Sequence, residues 1–212
     1  MDMKRLKKQM DFILEIDKEK NIKRQTLITD ASRQETDAEH AWHLAVMCAL
    51  LSEYSNEKID VAHTMLMVLM HDLVEIDAGD TYAYAEEANK SKEERNMNIF
   101  GFEIKSKEER ELKAADRIYN LLPPDQAKMA RELWDEFEAM ETPESKFANT
   151  LDKIQPAILN DAAGGVSWTS HTVYIDQILK RDARVHEGSE VLWEYTKNIL
   201  DENVKNGNIK TR

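Results

Sequence analysis

The sequence predicts an all-α protein, a single-domain helical bundle, and three observations carry that expectation. No segment alternates apolar and polar residues with period two, while several stretches return an apolar residue every three or four positions. Six Gly and four Pro in 212 residues leave few interruptions. A content of 42% hydrophobic and 33% charged residues suits amphipathic helices in water. Nothing in this length forces a second domain.

Taken in order, Leu6, Met10, Ile13, Leu14 and Asp17 form a helical stripe that ends near Lys20-Asn21. NIKRQTLITDASRQETD has no period and reads as a loop. Thr36 or Asp37 can cap the next helix, AEHAWHLAVMCALLSEYS, which carries His40, His43, Leu44, Met47 and Leu51 on one face. Asp60 caps VAHTMLMVLMHDLVEIDAGD, which Gly79 stops, leaving Asp80 on irregular backbone.

SKEER then occurs at Ser91–Arg95 and again at Ser106–Arg110. Two copies are too few for a solenoid, so residues 91–110 read as a local insertion remote from any chemistry, or else as a lid. LKAADRIYNLLP is helical up to Pro123-Pro124, and Asp125 to Met140 forms the next helix. Thr142-Pro143 opens ESKFANTLDKIQPAILNDA, where Pro156 removes the hydrogen bond to the Asp152 carbonyl. After Gly164-Gly165, two helices at about Thr169–His186 and Ser189–Val204, within residues 166–204, pack on the core, and the tail NGNIKTR frays.

A formal charge of −12 excludes a broad basic surface for nucleic-acid polymers or anionic membranes. The longest apolar run falls well short of the roughly 20 residues that span a bilayer. No apolar run of signal-peptide length follows the basic start, so a cytoplasmic location is expected. Cys48 is the only cysteine, which rules out an intrachain disulfide and suits a buried thiol.

The chemistry gathers where a core-grade apolar helix runs into His71-Asp72 and then Glu75, Asp77 and Asp80. His71 and Glu75 stand one turn apart, as neighbours on a helix surface with β-carbons roughly 5–6 Å apart. A His-Asp pair taken by itself reads more readily as an ordinary polar helix end. Its weight comes from His40 on the preceding helix and Asp152 inside the apolar stripe Phe147, Leu151, Ile154. A buried carboxylate needs a partner, either a metal ion or a cation such as Lys153 or an arginine. Two imidazoles and two carboxylates from three helices can converge on one divalent ion with positions left open. His43 and His63 read as core histidines or further ligands, and Trp168 and His171 as packing or as the lining of a ligand pocket.

The order His, His-Asp, distant Asp, each on a helix, resembles the HD-domain metal-dependent phosphohydrolase superfamily. The fuller string AEH…HDLVEIDAGD…LDK is similar to the branch that includes bacterial 5′-deoxynucleotidases, over about residues 22–163. The resemblance implies an HD-type fold and one divalent metal on His40, His71, Asp72 and Asp152, and such mixed nitrogen and oxygen ligands suit Mn, Co, Fe, Ni or Zn. It also implies nucleoside 5′-monophosphates, deoxyribonucleotides above all, as small-molecule substrates, and a homodimer. By the same resemblance Glu75 is the acid beside the attacking water. Asp80 is the acid near the substrate, as proton donor or sugar reader, and Arg24 grips the phosphate. The interval from Arg24 to His40 is one residue longer than the branch pattern, and Gln25 stands where an aromatic residue often follows, which leaves Arg33 as an alternative. Glu75-Ile76 departs from the Glu-Asp of alarmone hydrolases, and the Gly-Tyr-Pro of cyclic-dinucleotide phosphodiesterases is absent. The competing readings are pyrophosphohydrolysis of nucleoside triphosphates and a non-catalytic regulatory or scaffold module.

Overall fold

The structure, a computed structural model, describes residues 2–79 and 107–212; Asp80 and the first SKEER copy lie outside them. Helix α1 (Met3–Ile16) starts at Asp2, whose side chain accepts from the Lys4 and Arg5 amides, and leaves through a 3-10 turn at Asp17–Asn21. The segment expected to be a loop then forms a small antiparallel hairpin. Strands β1 (Lys23–Leu27) and β2 (Gln34–Thr36) pair Lys23 with Thr36 and Leu27 with Gln34. Asp30 accepts from the Ser32 amide and Ala31 adopts φ 57°, which turns the chain. Strands of five and three residues are too short for period two to register, so the sequence concealed them. The architecture is otherwise all-α.

Helix α2 (Asp37–Leu51) opens on a capping box between Thr36 and Glu39, and its first amide donates to the Ile22 carbonyl, which ties it to the hairpin. Helix α3 (Val61–Met70), capped by Asp60, packs along α2. The helix expected to run on until Gly79 instead tightens into a 3-10 turn at His71–Val74 before the short α4 (Glu75–Ala78). Two carbonyls near the end of α3 are taken by side chains. The buried Tyr119 hydroxyl donates to Met70, and His71 Nδ1 donates to Val68. Gly79, at φ +75°, then ends α4 as expected.

Helices α5 (Lys107–Tyr119) and α6 (Pro124–Ala139) follow, with Met140 left-handed at the end of α6. Helix α7 (Pro143–Ala162), capped by Thr142 with Pro at its first position, runs on through Pro156. It packs against α2, α3, α6 and α10 (Glu190–Lys205), so its residues meet side chains from most of the bundle. Leu44, Met67, Ile118, Phe147 and Leu151 centre the larger core.

The single helix expected over Thr169–His186 is two, α8 (Val166–His171) and α9 (Ile175–Arg181). Thr172 at φ 54° breaks them, and the residues that follow pair with the C-terminus. Ile175 N–H donates to Lys210 O and Lys210 N–H to Val173 O, which makes a parallel bridge between Tyr174 and Lys210. The tail therefore does not fray. Ile209 is buried in a second core with Trp168, Val173, Ile178 and Leu200, and burying that side chain offsets the cost of ordering the tail. Among the described residues no helix is long and apolar enough to cross a membrane.

Candidate active site

His40, His71, Asp72 and Asp152, spread over 113 residues of chain, meet in one place. Ligand atoms of His40, His71 and Asp72 all lie within 4.8 Å of one another. Asp152 Oδ1 is 3.0 Å from His40 Nε2 and 3.8 Å from His71 Nε2. Helix α2 supplies the first of the four side chains, the 3-10 turn after α3 the next two and the cavity face of α7 the fourth.

The hydrogen bonds behind the imidazoles fix which nitrogen faces the cluster. Gln155 Nε2 donates to Glu35 Oε1 at 2.6 Å and also faces His43 Nδ1 at 3.2 Å, so Gln155 Oε1 is left to accept from His40 Nδ1 at 3.0 Å. His71 Nδ1 donates to the Val68 carbonyl at 2.9 Å. Both Nε2 atoms therefore turn inward, as in metal-binding histidines held by an acceptor on the other nitrogen. His71 Nε2 is buried and makes no hydrogen bond among the described residues, although Asp72 Oδ2 is 3.1 Å away, because the approach is out of line. Imidazole nitrogens set against carboxylate oxygens at such distances hold a proton or a metal cation between them, and the donor set of two nitrogens and two carboxylates fits a divalent ion.

The electrostatics separate the two rings. Burial, aided by Arg24, brings His40 down to about 4, so it is neutral. Burial opposes charge on His71, yet Asp72 and Asp152 hold its pKa well above the usual value. Burial likewise opposes charge on Asp152, but Lys153, His40 and His71 hold its pKa well below the carboxylate range. Asp152 takes the Lys153 partner foreseen as one alternative, with Oδ2 2.7 Å from Nζ, while its Oδ1 faces the histidines.

Beside the cluster opens a cavity of about 390 Å³. Glu75, buried at the start of α4, lines it, as do Arg24 from β1 and Trp168 from α8. Arg24 Nη1 donates to Asp72 Oδ2 at 2.8 Å and Asp37 Oδ1 at 3.0 Å, so the hairpin is what brings a guanidinium to the ligands. Asp80 lies outside the described residues. Arg33 is not at the site; it pairs with Glu39 at the surface. His63 sits apart with Glu136, and His171 bonds the Ser167 carbonyl outside the cavity. Cys48 is fully buried, with burial pushing its thiol up to about 11, so it is no nucleophile.

Several residues at the site carried no signal in the sequence. Glu35 and Gln155 orient His40, yet neither belongs to a motif. Lys107, from the second SKEER copy, lines the cavity and pairs with Glu111 at 3.2 Å, so this residue is not remote from the site. Glu19 is buried, and burial followed by the charges of Asp72 and Asp37 pushes its carboxyl up to about 7. An acid raised in the folded state stabilises below its unfolded pKa of about 4.5, and that contribution is lost as pH rises to about 7. The loss is roughly 3 kcal/mol. Urea melts of metal-free protein are expected to show wild type losing this much more stability than Glu19→Gln between those pH values. Parallel pH profiles would mean Glu19 is ionised in the fold.

A helical domain that gathers two imidazoles and two carboxylates beside a cavity belongs to the metal-binding class. The HD domain profile matches residues 16–193, and the chain belongs to the HD-domain family. Among solved structures, a predicted metal-dependent phosphohydrolase from Magnetospirillum magnetotacticum is 43% identical with a TM-score of 0.84, covering 97% of this chain and 95% of that one. A conserved hypothetical protein from Pyrococcus furiosus, 22% identical with a TM-score of 0.58, shares the fold, covering 91% of this chain and 99% of that one. The human 5′-deoxynucleotidase HDDC2 is 29% identical over 126 residues, which cover 59% of this chain and 53% of that protein. The chain thus spans about half the length of the curated relatives it matches.

Proposed function

We propose that the protein is a metal-dependent phosphomonoester hydrolase that converts nucleoside 5′-monophosphates, deoxyribonucleotides foremost, to nucleoside and phosphate. The observation that carries this reading is the convergence of His40 Nε2, His71 Nε2, Asp72 and Asp152 beside a cavity that also holds Glu75 and Arg24. The similarity to HDDC2 supports the choice of substrate.

A divalent ion on these four ligands would supply charge neutralisation and an acidified water. The protein's own side chains do the rest. Glu75, on the cavity wall, orients the water and takes its proton as the P–O bond forms. Arg24, whose charge is held by Asp72, Asp152 and Asp37 despite burial, offers its guanidinium to the phosphate oxygens. Asp80 protonates the departing 5′-oxygen or reads the sugar. The four side chains offer nitrogen and oxygen donors, which suits Mn, Co, Fe, Ni or Zn.

The test is a panel of ribo- and deoxyribonucleoside mono- and triphosphates with added Mn or Co, read as phosphate, pyrophosphate and nucleoside. Phosphate with nucleoside from monophosphates, faster for the deoxy series, is the expected result. Pyrophosphate from triphosphates would replace this reading with the pyrophosphohydrolase, and no release at all with the non-catalytic module. A homodimer in the cytoplasm belongs to the same proposal on the resemblance, and sedimentation equilibrium reads the oligomeric state.

A further inference from the structure

Helix α7 gives the cavity one continuous wall. Asn149, Asp152, Lys153, Pro156, Ala157 and Asn160 all line it, and their spacing of three and four residues places them on a single helix face. Asp152 marks the ion end. Eight residues at 1.5 Å per residue put Asn160 about 12 Å further along the axis. Pro156 and Ala157, between the two, offer no polar side-chain atom, and Trp168, Val173 and Ile178, each at most 3% exposed, also line the cavity.

Against these apolar residues stands Asn160, 7% exposed, whose Oδ1 is buried with no hydrogen-bond partner among the described residues. Buried amide oxygens are almost always satisfied, and a lone one on a cavity wall marks where a ligand brings the donor. The position is held firmly. The Asn160 carbonyl accepts from the Gly165 amide at 2.8 Å, and Ser167 Oγ donates to the Gln25 carbonyl at 3.2 Å, which ties α8 to the strand that carries Arg24.

We propose that Asn160 and Trp168 form the subsite for the nucleobase. Asn160 Oδ1 accepts an N–H from the base edge, and Trp168 with Val173 and Ile178 covers the base itself. This rests on the phosphatase reading for the other end of the ligand. With the phosphate at the ion cluster, the sugar lies over Pro156 and Ala157 and the base reaches Asn160. The subsite accounts for a nucleotide as substrate in place of any small phosphate ester, because a base alone brings both a flat apolar body and an N–H.

The test compares dAMP, dCMP, dGMP and TMP with base-free 2-deoxyribose 5-phosphate on the metal-loaded full chain. Asn160→Leu is expected to lower kcat/KM for the nucleotides about tenfold, mostly through KM, the loss of one hydrogen bond together with a buried mismatch. Hydrolysis of 2-deoxyribose 5-phosphate is expected to stay within about twofold of wild type. Equal losses on both substrate types would assign Asn160 a structural role, and no change on either would remove it from the site; both overturn the subsite. If Asn160→Leu does not fold, Asn160→Ala, which asks for no extra volume, carries the same comparison.

Calorimetry with deoxyadenosine and deoxycytidine separates this idea from the phosphatase reading, since neither carries a phosphate. Nucleoside binding that Asn160→Leu abolishes supports the subsite even if no monophosphate is hydrolysed. Wild-type binding that the variant leaves unchanged contradicts the subsite whatever the chemistry at the cluster.

Discussion

Glu75→Gln is expected to bind as much divalent metal as wild type while hydrolysing nucleoside monophosphates with a kcat roughly 10²–10⁴-fold lower. The separation follows from where Glu75 sits. It lines the cavity at the start of α4, one helical turn beyond His71, and it is not among the three residues whose ligand atoms lie within 4.8 Å of one another. Gln keeps the volume and can still hold a water, but it cannot take a proton, so the loss should fall on kcat with little effect on KM. Measuring metal content and steady-state kinetics on one preparation checks it. Full activity on every monophosphate tested would remove Glu75 from the role of base.

Asp72→Ala should lose both metal and turnover. Asp72 faces His71 Nε2 at 3.1 Å and His40 Nε2 at 3.9 Å, so without it the cluster keeps one carboxylate where it had two. The substitution also removes an ion-pair partner from Arg24, whose side chain is only 15% exposed and which keeps Asp37 at 3.0 Å. Breaking one side of such a buried pair costs about 3–5 kcal/mol. Elemental analysis after dialysis should fall from about one ion per chain to none, and the urea midpoint of metal-free protein should drop. A variant that retains its ion would show that Asp72 serves Arg24 alone, and one with unchanged stability that Arg24 is held by Asp37.

The convergence of His40, His71, Asp72 and Asp152 was legible because chemistry puts unusual residues in predictable places. An apolar run that ends in His-Asp and a carboxylate inside the stripe Phe147, Leu151, Ile154 both break the pattern a core helix follows. Helices α1, α2 and α7 could be placed for the same reason, from period and caps such as Thr36 with Glu39 and Thr142 before Pro143. The hairpin of Lys23–Leu27 and Gln34–Thr36 could not, since its strands are held by pairing across a turn and each is too short to show alternation.

The break at Thr172 and the docking of Ile209 were hidden by their dependence on each other. The left-handed residue frees the Val173 carbonyl, and a distant segment supplies the donor. Tertiary partners decide such features, and local sequence carries no trace of them. Glu35, Gln155 and Asn160 belong to the same kind. Each is an ordinary polar residue on its own element, and its meaning comes from the His40 ring or the cavity wall it faces.

Anomalous scattering from crystals soaked in Mn or Co is the most direct measurement of the central claim. One peak per chain between His40 Nε2, His71 Nε2, Asp72 and Asp152, with bond lengths near 2.0–2.3 Å to nitrogen and oxygen, is the predicted result. A peak elsewhere, or none at this cluster while the ion occupies other sites, would contradict it.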